Sequence, residues 1–111
     1  MVKGGQNRIV LVSCGKLKEA RRIARAVVAK RLAACVNVFA SPVESFYTWK
    51  GRVEKAREFL LVIKTTEKRL ANLEKEVMRL HSYEVPEIIA LLVVKGPRDY
   101  LDWIAESVKP L

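Results

Sequence analysis

The side chain best suited to metal chemistry is His81, the only histidine in the chain. Imidazole is a good ligand for copper, nickel and zinc, but a single histidine does not make a metal site. Glu84 and Glu87 follow closely enough to complete a site, as could a residue from a second copy of the chain. The alternative is a histidine that caps the end of a helix or packs against Tyr83. The residue types alone leave both roles open.

The two cysteines, Cys14 and Cys35, form no spacing motif of a metal or redox centre. Two isolated cysteines are typical of a reducing compartment, where such thiols are usually buried. Cys35 stands just after a predicted helix, at the start of an apolar strand. It is a second and weaker candidate metal ligand, because a metal or redox role requires exposure and a lowered thiol pKa.

A third group of polar residues could line a ligand cleft. Glu58 and Lys64 are charges in a strand otherwise built for burial, and Tyr83, Glu84 and Glu87 follow the second long helix. Arranged around a cleft, these side chains would bind a polar ligand. Alternatively, the two strand charges form ion pairs that fix the register between subunits.

No pattern of an enzyme is present. Gly15-Lys16 lacks the earlier glycine that a phosphate-binding loop needs. A nucleophile–base pair would have to use His81, and no motif places a serine or cysteine beside it. We therefore expect a protein without catalytic residues and without an organic cofactor.

The elements that must position these residues follow from hydrophobic periodicity. Apolar runs predict strands, and apolar residues at helical spacing predict three helices. The order is β-α-β-β-α-β plus a C-terminal helix, which is an α+β, ferredoxin-like pattern with an antiparallel sheet. The predicted strands are Arg8–Ser13, Ala34–Phe39, Val43–Trp49, Arg52–Thr65 and Glu87–Val94; the predicted helices are Leu17–Arg31, one that starts at Thr66-Glu67 and ends near His81 or Ser82, and Asp99–Val108.

Two features of this pattern predict an oligomer. The hairpin Pro42–Thr65 turns at Lys50-Gly51, and its second arm would span about 45 Å, longer than a domain of this size. The runs Ile9–Val12 and Ile88–Val94 do not alternate apolar with polar residues, so both faces of the sheet need cover. The helices cover only one face. We therefore expect other copies of the chain to cover the second face and the hairpin to reach a neighbour.

Composition limits the remaining possibilities. We expect residues 1–7 to be a disordered tail and residues 8–111 to form a single domain. No apolar run approaches the roughly 20 residues of a membrane span, and the start lacks the apolar core of a secretory signal, so a cytoplasmic protein is predicted. Residues 1–31 contain nine lysine and arginine residues and one acidic residue. The net charge of the whole chain is +9. This basic helix predicts a solvated face, and nucleic acid is not an expected partner.

Several blocks of residues resemble the CutA family of divalent-cation tolerance proteins. The resemblance covers about residues 8 to 109 in order. Tyr47-Thr48-Trp49-Lys50-Gly51 and the block from His81 to Ile88 are the most specific parts. The other blocks are Leu32 to Val38, Ile63-Lys64-Thr65 and Tyr100-Leu101-Asp102-Trp103-Ile104.

The resemblance implies a homotrimer with the architecture of PII-like signalling proteins, and a link to tolerance of copper and other divalent metals. It makes His81 a predicted ligand of a divalent metal, with copper as the first candidate. Two departures bear on this: Val12 stands where some members have a metal-binding cysteine, and Ser82 replaces a proline after the histidine. The alternatives are a PII-like regulatory module that binds a small ligand between subunits, and a non-catalytic trimer that assembles or anchors a protein partner.

Overall fold

The computed structural model describes all 111 residues and shows three helices packed on antiparallel strands, which confirms the mixed α+β class. None of the helices is both long and apolar enough to cross a membrane. In chain order the elements are β1 (Val2–Lys3), β2 (Asn7–Cys14), α1 (Leu17–Ala29), β3 (Cys35–Val38), β4 (Val43–Trp49), β5 (Arg52–Thr66), a 3-10 turn (Glu67–Arg69), α2 (Leu70–Leu80), β6 (Ile88–Leu92), β7 (Lys95–Gly96) and α3 (Arg98–Ser107).

The main sheet has the strand order β3-β5-β2-β6, and every neighbouring pair is antiparallel. The 15 residues of β5 pair with β2 and β3 in their second half and with β4 in their first half. The chain leaves the ladder between β3 and β4, around Pro42, because proline has no N–H to donate. β5 is therefore the strand that joins the hairpin to the rest of the sheet.

The hydrophobic core lies between the sheet and the helices α1 and α2. Residues two apart on a strand share a face, so one set of strand side chains meets the apolar stripes of both helices. Fully burying one such side chain contributes about 1.5–3 kcal/mol. The completely buried members are Val10, Val12, Cys14, Ala20, Ile23, Val27, Leu61, Ile63, Leu73 and Val77.

Helix α1 ends at Ala29, two residues before the predicted end at Arg31. Arg31 adopts a φ of 58°, a left-handed conformation that stops a helix. The backbone N–H of Leu32 then donates to the carbonyl of Val27, which satisfies one of the last helical carbonyls. The side chain of Arg31 donates to the carbonyl of Lys109 at 2.6 Å, so the end of α1 is held against the end of α3.

The N-terminal residues 1–7, predicted as a disordered tail, contain a strand instead. β1 pairs with β7, and the backbone N–H of Gly4 donates to the carbonyl of Val94 at 2.9 Å. Asn7 already belongs to β2, and its side-chain amide donates to the carbonyl of Gly4. Backbone hydrogen bonds order this segment. Because any residue type can form them, the polar composition from which disorder was predicted does not reveal them.

The hairpin β4–β5 turns at Lys50 and Gly51, whose φ angles of 51° and 77° are both left-handed. This is the geometry of a tight hairpin turn, and glycine adopts it without steric cost. The tip from Phe46 to Lys55 is exposed on both strands. The longest extent of the molecule is 44 Å against 28 and 24 Å in the other directions, so the hairpin makes the chain elongated.

The second face of the sheet is apolar and only partly covered. Ile9 and Leu11 of β2 lie opposite Leu91 and Ile89 of β6, and all four point away from the core. Ile89 remains 49 % exposed and Leu91 remains 44 % exposed. We call the side chains of Ile9, Leu11, Leu60, Val62, Ile89 and Leu91 the open sheet face.

Candidate functional site

The imidazole of His81 lies in the interior of the molecule, where the ends of three elements meet. His81 directly follows α2, and its backbone N–H closes the last helical turn by donating to Val77. Its side chain is fully buried. The ring nitrogen Nε2 lies 2.7 Å from the carbonyl oxygen of Ser13, and Nδ1 accepts the backbone N–H of Tyr83 at 3.0 Å. Because the carbonyl can only accept, the ring proton sits on Nε2 and the imidazole is neutral.

Two further potential ligands approach this histidine. The Sγ atom of Cys14, a carboxylate oxygen of Glu19 and a ring nitrogen of His81 all lie within 4.8 Å of one another. We call these three residues the Cys-Glu-His cluster. Cys14 ends β2, and Glu19 is in the first turn of α1, where the helix dipole favours a negative charge. The turn at Gly15 brings the two elements together.

The carboxylate of Glu19 is only half satisfied. Its Oε1 accepts the backbone N–H of Ser82 at 3.2 Å. Its Oε2 is buried without a hydrogen-bond partner and lies 3.7 Å from Nδ1 of His81. A buried acceptor without a donor is costly, and it is the kind of atom that a bound cation would satisfy.

The thiol of Cys14 is protonated at neutral pH. Burial, together with the negative charges of Glu19 and Glu58, raises the pKa of this thiol to about 12. The same negative surroundings favour a positive charge at this place. A metal cation that replaced the thiol proton would therefore relieve the repulsion that the thiolate alone would meet.

Beside this cluster lies an open cleft of about 700 Å³ at the base of the hairpin. Four of the five predicted cleft residues line it, namely Glu58, Tyr83, Glu84 and Glu87. Three carboxylates and no lysine, arginine or histidine face the cleft, which makes it an acidic surface in a basic chain. Its other lining residues are Ser13, Ser45, Phe46, Tyr47, Trp49 and Val85.

Tyr83 separates the cleft from the Cys-Glu-His cluster. Its hydroxyl donates to Oε2 of Glu58 at 3.1 Å, and its ring packs on His81 with the centroids 4.8 Å apart. Burial and the charge of Glu58 raise the pKa of the Tyr83 hydroxyl to about 12. A Cβ atom on Gly15 would lie 2.9 Å from that hydroxyl, so the glycine makes room for the tyrosine.

The structure does not bring the remaining two candidates to these sites. Lys64 lies six residues along β5 from Glu58, which is about 20 Å in an extended strand. Cys35 pairs across the strands with Lys64, which in turn pairs with Ile9 near the opposite end of β2 from Cys14. Cys35 is half-buried, and the cluster at His81 contains the other cysteine instead.

Cys14 and Glu19 were not predicted as neighbours of His81. Sixty-two positions separate Glu19 from His81, so no local spacing could reveal the contact. One signal was present: Glu19 is the only acid among the first 31 residues. An isolated carboxylate in a basic helix suggests a buried partner.

The chain is similar to known proteins over most of its length. Residues 8–107 match the family model described as CutA1 divalent ion tolerance protein. The divalent-cation tolerance protein CutA of Archaeoglobus fulgidus is 40 % identical over 103 residues, which cover 93 % of this chain and 99 % of that protein. That of Thermus thermophilus is 44 % identical over 99 residues, which cover 89 % of this chain and 95 % of that protein.

Solved structures of the same two relatives are closely similar. The divalent cation tolerance protein from Thermus thermophilus matches with a TM-score of 0.90 at 43 % identity, over 93 % of this chain and 99 % of that chain. The protein from Archaeoglobus fulgidus, described as a periplasmic divalent cation tolerance protein, matches with a TM-score of 0.89 at 40 % identity, over 93 % of this chain and 99 % of that chain.

Proposed function

The chain belongs to the CutA1 divalent ion tolerance family, and we propose that it contributes to divalent-cation tolerance by binding a divalent metal ion at the Cys-Glu-His cluster. Copper is the first candidate, and no catalysed reaction is part of the proposal. The observation that carries it is the convergence of a nitrogen, a sulfur and an oxygen ligand within 4.8 Å.

The donor set suits a borderline transition metal. Imidazole binds copper and zinc, thiolate is a soft ligand, and a carboxylate supplies negative charge. Glu19 Oε2 is buried without a partner, so one ligand atom is already free. The three residues would hold the ion, and the ion would take the place of the thiol proton of Cys14.

One hydrogen bond stands in the way of this binding. Nδ1 of His81 faces the carboxylate of Glu19 but already accepts the backbone N–H of Tyr83. Metal binding therefore requires the segment after α2 to move, so that this N–H is released. The segment from Ser82 to Glu87 is exposed for most of its length and contains no helix or strand. Its movement therefore requires little free energy.

We further propose that the chain works as a ferredoxin-like homotrimer in the cytoplasm. The open sheet face and the exposed hairpin tip support assembly, because both would otherwise leave apolar side chains in water. The relative from Archaeoglobus fulgidus is described as periplasmic, so the compartment is to be tested by fractionation of the native host.

The test of metal binding is calorimetric titration of the metal-stripped protein with Cu(II), and with Zn(II) as a redox-inert comparison. We expect one ion per chain and the release of about one proton per ion, because the Cys14 thiol starts protonated. His81→Ala and Cys14→Ser should each weaken binding at least tenfold. The amide resonance of Tyr83 should shift on binding.

Cys35→Ser is the matched control, because it removes the other thiol without touching the cluster. Equal weakening in Cys35→Ser and Cys14→Ser would contradict the proposed site, as would binding that survives His81→Ala unchanged. Folding of each variant is checked by its circular dichroism spectrum.

The acidic cleft favours a second candidate function, a PII-like module that binds a small ligand. Its volume of about 700 Å³ is large enough for a metabolite. Three carboxylates and four aromatic residues line it, which favours a cationic organic ligand over an anion. Saturable binding of a polyamine to the metal-free protein, lost in Glu58→Gln but kept in His81→Ala, would support this function; no binding in calorimetry would exclude that ligand class.

A further inference from the structure

The positive charge of the molecule is concentrated on one face. Residues 1–31 carry a net charge of +8, and the other 80 residues carry a net charge of +1. Helix α1 supplies four of the nine basic residues of this segment, and all four are exposed on its solvent side. Its side chains and the residue before it form what we call the basic face, made up of the exposed residues Lys16, Lys18, Arg21, Arg22 and Arg25.

These five cations have no partner within the molecule. None of them forms a salt bridge, whereas Lys30 at the end of the same helix pairs with Glu76 of α2. The only acid of α1, Glu19, points inward: it accepts the backbone N–H of Ser82 and belongs to the Cys-Glu-His cluster. The sequence alone predicts a solvated face, but a face made only to be soluble would mix both signs. The exposed charged side chains of the basic face are all positive.

We propose that the basic face docks the phosphate backbone of a nucleic-acid duplex without reading its sequence. Charge complementarity selects this partner, because a duplex carries one negative charge per 1.7 Å of its axis. The charged side chains from Lys16 to Arg25 extend over about 14 Å along the helix. Three of the five are arginines, which bind phosphate in a bidentate manner.

The surroundings of α1 decide how the duplex is contacted. The helix packs side by side with α2, so it cannot enter a groove alone in the way of a recognition helix. Contacts are therefore to phosphates and not to base edges. On α2, Lys75 is a further exposed lysine and Glu74 is the exposed acid beside it, whereas the charge of Arg79 is paired with Glu76.

An anionic membrane surface fits these observations less well. A helix that lies in a membrane inserts an apolar face. The apolar residues Ala20, Ile23 and Val27 are completely buried in the core, and of the large apolar side chains of α1 only Val28 is exposed. The exposed side of α1 therefore offers a bilayer charged side chains but almost no apolar surface to insert.

The docking surface is independent of the proposed trimer. Helices α1 and α2 cover one side of the sheet, and the open sheet face is the other side. Assembly through the open sheet face would leave α1 on the outside of each subunit, where its basic face stays accessible.

The experiment measures binding of the full-length protein to a fluorescent 25-base-pair DNA duplex of mixed sequence by anisotropy. Five phosphate contacts predict that log K falls with log salt with a slope of about −4.5. The triple variant Arg21→Ala/Arg22→Ala/Arg25→Ala should bind at least tenfold more weakly, and its slope should flatten by about 2.7. A duplex of unrelated sequence should bind equally well.

The matched control removes three positive charges elsewhere, by Lys3→Ala/Lys95→Ala/Arg98→Ala, all of them exposed and free of salt bridges. We expect this control to weaken binding less than threefold. Equal weakening by both triple variants would overturn the proposal in favour of net charge alone. Absence of binding at 50 mM salt would overturn it as well, and so would binding to phosphatidylserine vesicles that is lost in the α1 variant while DNA binding is not.

Discussion

At the scale of single residues, burial governs the reactivity of Cys14. Burial and two nearby carboxylates raise the pKa of its thiol from 9.0 to about 12, so about one thiol in 10,000 is a thiolate at pH 8. We predict that maleimide labels Cys14 in the native Cys35→Ser protein about a thousandfold more slowly than in the same protein unfolded by guanidinium. Mass spectrometry of the intact chain measures the rate. Equal rates in both states would show that Cys14 is not buried.

The same residue shows how far the site could be predicted. The grouping of the cleft residues could be predicted from the sequence. His81, Tyr83, Glu84 and Glu87 are close together in the chain, and Glu58 lies in a strand that the sequence pattern identifies. Cys14 joins His81 only because the ends of β2 and α2 meet, and this contact depends on packing. Lys64 illustrates the opposite error: it shares a strand and a face with Glu58 but lies about 20 Å away along that strand.

At the scale of elements, one carboxylate joins the two long helices. Glu76 of α2 is buried, and it accepts from Arg79 at 2.8 Å and pairs with Lys30 at the end of α1 at 2.7 Å. The hydrogen bonds from Arg79 and then Lys30 lower the pKa of Glu76 to about 2. The charged carboxylate therefore stabilises the fold fully above its unfolded pKa of 4.5 and loses this effect as the pH falls towards 2.

We predict that Glu76→Gln lowers the free energy of unfolding at pH 7, and that the difference from the wild type shrinks between pH 4.5 and pH 2. Urea titrations at fixed protein concentration measure it. Glu74→Gln is the control, because Glu74 is exposed on the same helix and has no ion pair. A difference for Glu76→Gln that stays the same down to pH 2 would mean that the amide is simply a poor fit.

The existence and type of the long elements were predictable, because periodicity reports which face is buried. Helix α1 and the long strand β5 begin at their predicted residues, Leu17 and Arg52. Their ends and the short elements were not predictable. Arg31 stops α1 through a left-handed backbone conformation that arginine rarely adopts, and β1 exists only because β7 offers it hydrogen bonds.

At the scale of the whole molecule, the open sheet face is only partly covered by the rest of the chain. The predicted conflict between unbroken apolar strands and helices on one side is visible in the structure, where Ile89 and Leu91 are almost half exposed. Water contact of so many aliphatic side chains is unfavourable by about 25 cal/mol per Å² of apolar surface. The proposed assembly of copies through this face would remove this cost.

We predict that Ile89→Lys/Leu91→Lys lowers the mass in solution from about 38 kDa, three times the 12.6 kDa of one chain, to that of the single chain. In the isolated chain these side chains are 49 % and 44 % exposed, so lysine there does not disturb the core. The control Met78→Lys/Val28→Lys changes side chains that are 47 % and 41 % exposed on the helical side, and it should keep the larger mass. Light scattering after gel filtration measures both. A wild type of 12.6 kDa, or equal dissociation of both variants, would contradict assembly through the open sheet face.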